Sequence, residues 1–253
     1  MRVLVVTAVS AEADAVAAGL PERGPGPVEV GVGVEAGVEV GVGVEVELLV
    51  AGVGPAAAAA GTAGALTAAA LAGEPYDLVV SAGIGGGFQP DAPVGTLVVA
   101  DAIIAADLGA ETADGFVPVT ELGFGTVEHR PPPALVRAAA AATGARVGTV
   151  LTVSTVTGSA ERAALLRARH PGAVAEAMEG FGVAEAAAAR GCPVLELRAV
   201  SNPVGPRDRA AWRIGDALTA LTAATARLVP VLNPVLDPVL DPVENRERPR
   251  ETP

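Results

Sequence analysis

Short apolar runs rich in valine, leucine and isoleucine alternate along the chain with alanine-rich segments, and this alternation constrains the fold more than any other feature. The first run, residues 2–9, is β-branched and uninterrupted, which predicts a strand buried on both faces. Ser10 follows as a candidate N-cap, with Glu12 and Asp14 in the first turn of a predicted helix. Strands that alternate with helices predict an α/β fold with a parallel or mixed sheet.

The same alternation continues to residue 228. We predict strands over 77–81, 96–104, 148–153 and 194–200, and helices over 55–71, 133–143, 160–169, 177–190 and 214–228. Between residues 28 and 47 valine alternates with glutamate or glycine, which predicts a half-buried pair of strands, and 48–51 is predicted to be a further strand. Three consecutive glycines at 85–87 predict a loop, either an ordinary turn or a place where backbone approaches a ligand closely.

Proline recurs at every fourth position from Pro230 to Pro242. Proline removes a backbone donor and disfavours the interior of a helix. We therefore predict one domain over residues 1–229 and an extended or disordered tail over 230–253, with a docking strand for a partner as the alternative.

Composition argues against several classes of function. The chain has 29 acidic and 17 basic residues and a net charge of −12, which argues against binding to a nucleic-acid backbone. The uncharged stretch between Glu47 and Glu74 could span a bilayer by length, but it is mostly alanine and glycine, so no membrane span is expected. Cys192 is the one cysteine, which fits a reducing cytoplasm. His129 and His170 are far apart in sequence, so no metal site is expected.

Residues 52–57, GVGPAA, superficially match the dinucleotide-binding pattern G-x-G-x-x-A. An acidic residue at the end of a strand should follow about twenty positions later to bind a ribose, and none is predicted there. A tight strand-to-helix turn is therefore the favoured interpretation.

Two short motifs place polar groups where chemistry is possible. AMEG at 177–180 puts Glu179 in an apolar segment, where an unpartnered carboxylate would cost several kcal/mol, so a hydroxyl or a cation should meet it. RAVSNP at 198–203 ends a predicted strand with polar groups at the rim of the sheet. Each motif alone also has a purely structural interpretation.

Together with Glu12, these motifs resemble the nucleoside phosphorylase and nucleosidase superfamily. The resemblance covers residues 1–229 and rests on SAGIGGGFQPDAPVGTLVVADAII at 81–104, AMEGFGVAEAA at 177–187 and LRAVSNPVGPRDRAAW at 197–212. Within this superfamily, the chain is similar to the methylthioadenosine/adenosylhomocysteine nucleosidases and, more closely, to the futalosine hydrolases. The resemblance implies a single α/β domain, with a central mixed sheet flanked by helices. It implies a cytoplasmic homo-oligomer that acts on a purine nucleoside without cofactor or metal, and with no nucleic-acid or membrane partner.

The resemblance also implies three catalytic positions. Glu12 would activate the attacking water, and Glu179 would bind the ribose hydroxyls and stabilise an oxocarbenium-like sugar. Asn202 stands where adenosine-type nucleosidases carry aspartate. Its amide can donate to a 6-oxo group and accept from N7–H, which suits hypoxanthine and misfits adenine. The expected reaction is hydrolysis of futalosine to hypoxanthine and dehypoxanthine futalosine in menaquinone biosynthesis.

The implied substrate-binding residues are Gly83, Ile84, Gly85, Thr155, Val156, Met178, Arg198 and Ser201. Ile84 replaces a family serine, and Thr155 replaces an aromatic residue that stacks on the base. Phe88, Phe181 and Trp212 are therefore candidates to line the base, and Arg130, Arg207 and Arg209 are candidates for the carboxylate end of the substrate. Two alternatives stay open: a methylthioadenosine/adenosylhomocysteine nucleosidase that tolerates Asn202, and a non-catalytic protein that binds purine nucleosides.

Overall fold

The computed structural model describes residues 1–21, 34–40 and 43–240 of the chain. A mixed sheet forms the centre of the described part, with helices on both of its faces. The strands are β1 (Arg2–Thr7), β2 (Val34–Val40), β3 (Val44–Val50), β4 (Leu78–Gly87), β5 (Leu97–Ala105), β6 (Gly109–Thr112), β7 (Gly115–Pro118), β8 (Glu128–His129), β9 (Arg146–Thr152), β10 (Ala173–Ala177) and β11 (Val194–Pro203). The helices are α1 (Ser10–Gly19), α2 (Pro55–Ala72), α3 (Pro133–Thr143), α4 (Ala160–Arg169), α5 (Gly180–Ala188) and α6 (Ile214–Leu240).

The order of strands in the large sheet is β10-β9-β5-β11-β4-β1-β3-β2, with β8 on β5. β1 runs parallel to β3 and β4, and β4 runs parallel to β11, so the carboxyl ends of these four strands lie at one edge. β10 pairs with β9 on one side and with the end of β4 on the other. β4, β11, β5, β9 and β10 therefore form a closed ring of strands.

The two faces of the sheet are covered by different helices. Val3 and Val5 of β1 belong to the core packed under α1, α3 and α6, whereas Leu4 and Val6 belong to the core under α2 and α5. This alternation follows from the period of two in a strand. α2 is long and apolar enough to cross a membrane by length and composition alone, and in the structure it packs against α5.

The glycine segment is a strand and not the loop we predicted. β4 runs through to Gly87, because β10 and β11 both pair with its last residues. A Cβ on Gly85 would stand 2.8 Å from the carbonyl oxygen of Glu176, and one on Gly87 would stand 2.7 Å from Val200 Cγ1. The glycines therefore allow close approach of neighbouring strands.

Two other predicted elements need correction. The helix predicted over 177–190 is the end of β10 followed by α5, because 173–177 pair with β9 and β4. The predicted strand pair over 28–47 is confirmed as β2 and β3 over 34–40 and 44–50, and residues 28–33 and 41–42 lie outside the described part. Leu48–Ala51 is not a further strand, since its residues continue β3 to Val50.

The prediction of an extended or disordered tail from residue 230 is wrong for residues 230–240, which are helical. α6 continues through three of the regularly spaced prolines and ends at Leu240, while 241–253 lie outside the described residues.

The start of that segment is held by burial. Pro230 is exposed, whereas Leu228, Val229 and Leu232 are buried in the core under α6. Burial of each such side chain contributes about 1.5–3 kcal/mol. That gain offsets the hydrogen bond that the exposed proline removes from the helix.

Gly182 and Gly64 give a matched test of how closely α2 and α5 pack. A Cβ on Gly182 would overlap the carbonyl oxygen of Pro55, whereas one on Gly64 would meet nothing within 4 Å. We expect Gly182→Ala to lower the free energy of unfolding by about 2–3 kcal/mol. Gly64→Ala should raise it by about 0.5–1 kcal/mol, because alanine favours the helix. Urea denaturation of both variants checks this, and equal effects would contradict the close packing.

Cys192 offers a chemical probe of the same region. Its thiol donates to the carbonyl oxygen of Tyr76 at 3.4 Å, and burial, with a smaller effect of Asp77, raises its pKa to about 12. Because the thiolate is the reactive form, the folded protein should resist iodoacetamide at pH 8. In urea, the same cysteine should be alkylated at the rate of a free thiol. Mass spectrometry of both samples measures this, and rapid alkylation of the folded protein would contradict it.

Candidate active site

The predicted catalytic residues lie near the edge formed by the carboxyl ends of β1, β3, β4 and β11. Glu12 and Glu179 come together there around Arg198. Glu12 lies just after β1, Glu179 just after β10, and Asn202 near the end of β11. The glycine-rich end of β4 lies between β11 and β10 and pairs with both. Ligands of open α/β sheets bind at this edge.

Glu12 is a buried carboxylate held by backbone donors. Its Oε2 accepts from the N–H of Ala8 at 3.0 Å, and its Oε1 accepts from the N–H of Ile84 at 2.8 Å. Val9 and not Ser10 occupies the N-cap position of α1, so the predicted N-cap at Ser10 is wrong. Glu12 is thus fixed between the end of β1 and the glycine-rich strand.

Gly83 is the point where Glu12 and Arg198 come together. A Cβ on this residue would stand 2.5 Å from Glu12 Oε1 and 2.6 Å from Arg198 Nη1. Any larger side chain would therefore push the carboxylate and the guanidinium apart.

Arg198 is the buried centre of the site. Its side chain is 1% exposed, and its Nε donates to Glu196 Oε1 at 2.9 Å and its Nη2 to Ser81 Oγ at 2.9 Å. Its Nη1 lies 3.4 Å from Glu179 Oε2. Burial alone would lower the pKa of Arg198, but Glu196, Glu179 and Glu12 outweigh it and raise the pKa. The guanidinium therefore stays charged.

Glu179 has the cation partner that the sequence led us to expect. Besides Arg198, its Oε1 accepts from the N–H of Gly54 at 3.1 Å and its Oε2 from the N–H of Met178 at 3.3 Å. Gly54 has a φ of 94°, a conformation that favours glycine. The turn that we interpreted as purely structural is thus a part of the site that the sequence analysis missed. Its place after β3, at the carboxyl edge, is the signal that could have revealed it.

Asn202 lies at the rim and is half-buried. Its Oδ1 accepts from the Ser201 hydroxyl at 2.9 Å, and its Nδ2 donates to the carbonyl oxygen of Pro203 at 3.0 Å. The Ser201 hydroxyl is also 3.3 Å from the carbonyl oxygen of Gly85. These bonds orient the amide on β11 beside the end of β4.

Thr155 and Val156 are exposed in the segment between β9 and α4. The next residue, Thr157, donates its N–H to Glu176 Oε1 at 2.8 Å, and its hydroxyl also bonds to Glu176. Burial raises the pKa of Glu176, and the bonds from Thr157 oppose this. Glu176 and Asn202 pair with the same glycine of β4, from opposite sides. The bonds to Glu176 therefore fix the segment that follows β9 at the same position along β4 as Asn202.

The three aromatic candidates lie in different places. Phe88 is 1% exposed in a core cluster with Leu151 and Leu166. Its ring is therefore part of the core and has almost no exposed surface to line the base. Phe181 lines a cavity of about 290 Å³ beside the start of α2. Trp212 is half-buried.

The arginine candidates also differ. Arg130 pairs with Glu128. Arg207 and Arg209 lie over the ring of Trp212, at 5.3 and 5.9 Å from its centroid, and form no ion pair within the described residues. Glu196 and Ser81 were not among the predicted residues, although both bind Arg198.

Comparison with known proteins identifies the family of this chain. The family model of the phosphorylase superfamily matches residues 2–234. A futalosine hydrolase of Streptomyces coelicolor is 72% identical over 232 residues, which cover 92% of this chain and 97% of that protein. A futalosine hydrolase of Acidothermus cellulolyticus is 48% identical over 230 residues, 89% of each protein.

Solved structures share the fold. The 5'-methylthioadenosine/S-adenosylhomocysteine nucleosidase from Neisseria meningitidis, solved with methylthio-immucillin-A, has a TM-score of 0.75 and 22% identity. The match covers 91% of this chain and 99% of that one. The nucleoside phosphorylase-like α/β fold expected from the sequence is confirmed.

Proposed function

The chain belongs to the phosphorylase superfamily, and we propose that it hydrolyses the N-glycosidic bond of futalosine, releasing hypoxanthine and dehypoxanthine futalosine in menaquinone biosynthesis. The observation that carries the proposal is the meeting of Glu12 and Glu179 around Arg198 at the carboxyl edge. The choice of substrate is supported by the relatives that are 72% and 48% identical, both futalosine hydrolases.

Glu12 is the proposed base. Both of its oxygens are held by backbone N–H groups, which keeps the carboxylate in one orientation. It takes a proton from water, and the water oxygen forms a bond to the anomeric carbon as the bond to the purine nitrogen breaks. The electron pair of the broken bond goes to the purine, which takes a proton from solvent water and leaves as hypoxanthine. Glu12 then returns the proton that it accepted to the solvent.

Glu179 is proposed to hold the ribose. Positive charge develops on the sugar as the glycosidic bond breaks, and a fixed carboxylate stabilises that charge more than the neutral ground state. Bonds from Gly54 and Met178 fix its position before substrate arrives. Met178 is half-buried next to it, as expected for a residue that packs on the sugar.

Asn202 is proposed to select the base. Its amide can donate to O6 and accept from N7–H. Thr155 and Val156 are proposed to form the exposed side of the base site, and Ile84 and Gly85 are proposed to contribute to substrate binding from β4. Ser201 orients the amide.

We further propose a homo-oligomer in the cytoplasm. Val53 and Leu71 are 56% and 85% exposed, and Leu108 is 42% exposed beside the 290 Å³ cavity. Burial of such apolar side chains favours association.

Glu12→Gln tests the assignment of the base. We expect it to lower kcat for hypoxanthine release by about 10²–10³-fold, since the amide cannot take a proton from water. Asp14→Asn is the matched control, because Asp14 is exposed on the same helix. It should leave kcat unchanged. Turnover by Glu12→Gln equal to that of wild type would remove Glu12 from the mechanism.

Asn202→Asp separates the two nucleosidase candidates. The ratio of kcat/KM for futalosine to that for its 6-amino analogue should fall at least about tenfold, because a carboxyl group matches a 6-amino purine. Asn202→Ala is the control and should weaken both reactions without reversing the preference. If wild type already prefers the 6-amino analogue, the methylthioadenosine/adenosylhomocysteine nucleosidase alternative is favoured.

A further inference from the structure

Glu196 is a second carboxylate on Arg198 that the proposed mechanism does not use. It is 0% exposed on β11, two residues before Arg198, so both side chains project from the same face of the strand. Its Oε1 accepts from Arg198 Nε at 2.9 Å. Its Oε2 has no hydrogen-bond partner within the described residues.

The carboxylate of Glu196 lies close against the backbone at Gly180. A Cβ on Gly180 would overlap both carboxylate oxygens of Glu196. Gly180 is the first residue of α5 and directly follows Glu179. Glu196 thus lies beneath the turn that carries Glu179, and only a glycine permits that approach.

The distances show how closely each partner approaches the guanidinium of Arg198. The guanidinium lies 2.9 Å from Glu196 and 3.4 Å from Glu179, and Ser81 takes a third direction at 2.9 Å. We propose that Glu196 is a positioning residue: it holds the guanidinium back from Glu179, so that Glu179 keeps its negative charge for the sugar. This inference rests on the proposed function.

The charges around Arg198 support the proposed role of Glu196. Glu196 faces Arg198 on its own strand and Glu179 just before α5. Glu12 of α1 and Arg198 both approach the position that a Cβ on Gly83 would occupy. Burial raises the pKa of Glu196, and Arg198 opposes that rise. Without Glu196, Arg198 would lose its nearest carboxylate and would pair more closely with Glu179. That pairing would weaken the field of Glu179 at the developing oxocarbenium charge.

Four variants test the inference. Glu196→Gln keeps an acceptor for Nε and removes the charge, Glu196→Leu removes both, and Arg198→Met is made alone and with Glu196→Leu. Glu47→Gln is the matched control, because Glu47 also binds an arginine, Arg2, on another strand. Circular dichroism establishes folding, and Glu196→Gln carries the kinetic test if the leucine variant does not fold.

We expect kcat for futalosine to fall about tenfold in Glu196→Gln and about 30–100-fold in Glu196→Leu, with KM within about threefold of wild type. The loss should fall on kcat because the sugar is charged only in the transition state. In the Arg198→Met background, Glu196→Leu should cause no further loss. Glu47→Gln should leave kcat unchanged.

The inference is overturned if Glu196→Gln and the control have the same kcat, or if the losses of Glu196→Leu and Arg198→Met multiply. A readout without substrate is the crystal structure of Glu196→Gln, in which Arg198 Nη1 should lie closer to Glu179 than the 3.4 Å of the parent chain. An unchanged distance overturns the inference. If wild type releases no hypoxanthine, the proposed function fails, and this distance still decides the role of Glu196.

Discussion

The arrangement of the candidate active site depends on how the charge of one buried cation, Arg198, is compensated. Arg198 is 1% exposed, and an unpaired guanidinium at that depth would cost many kcal/mol. Glu196 approaches it from the same strand, Glu179 from the end of β10, and Glu12 across Gly83. Because one cation attracts all three carboxylates, groups from distant parts of the chain are held within one small volume.

β4 makes this convergence possible. It pairs with β1 and β11 along its length and with β10 at its end. Only a strand without side chains at its end could accept neighbours this close. The ring of strands that results brings the end of β10, and with it Glu179, beside the end of β11 and Arg198.

Sequence patterns predicted the elements that local chemistry determines. α3 and α4 match their predicted bounds, because proline, glycine or serine marks their ends. The glycine segment and the region 177–190 were predicted wrongly, since pairing with distant strands decides their structure and leaves no local periodicity. At the site, resemblance supplied Glu12 and Glu179, whereas Glu196 was missed. A carboxylate two residues before an arginine on a buried strand is the pattern that could have indicated it.

The depth of the side chains divides the site into two parts with different freedom to vary. At the proposed sugar end, Glu12 and Glu179 accept hydrogen bonds from backbone N–H groups, and Glu179 also pairs with the buried Arg198, so one substitution disturbs several partners. At the proposed purine end, Thr155 is exposed and Asn202 is half-buried, with side-chain hydrogen bonds only to its chain neighbours Ser201 and Pro203 among the described residues. Under the proposed function, a change of base preference therefore needs substitutions only among the rim residues, whereas the groups proposed to act on the glycosidic bond leave little freedom for substitution.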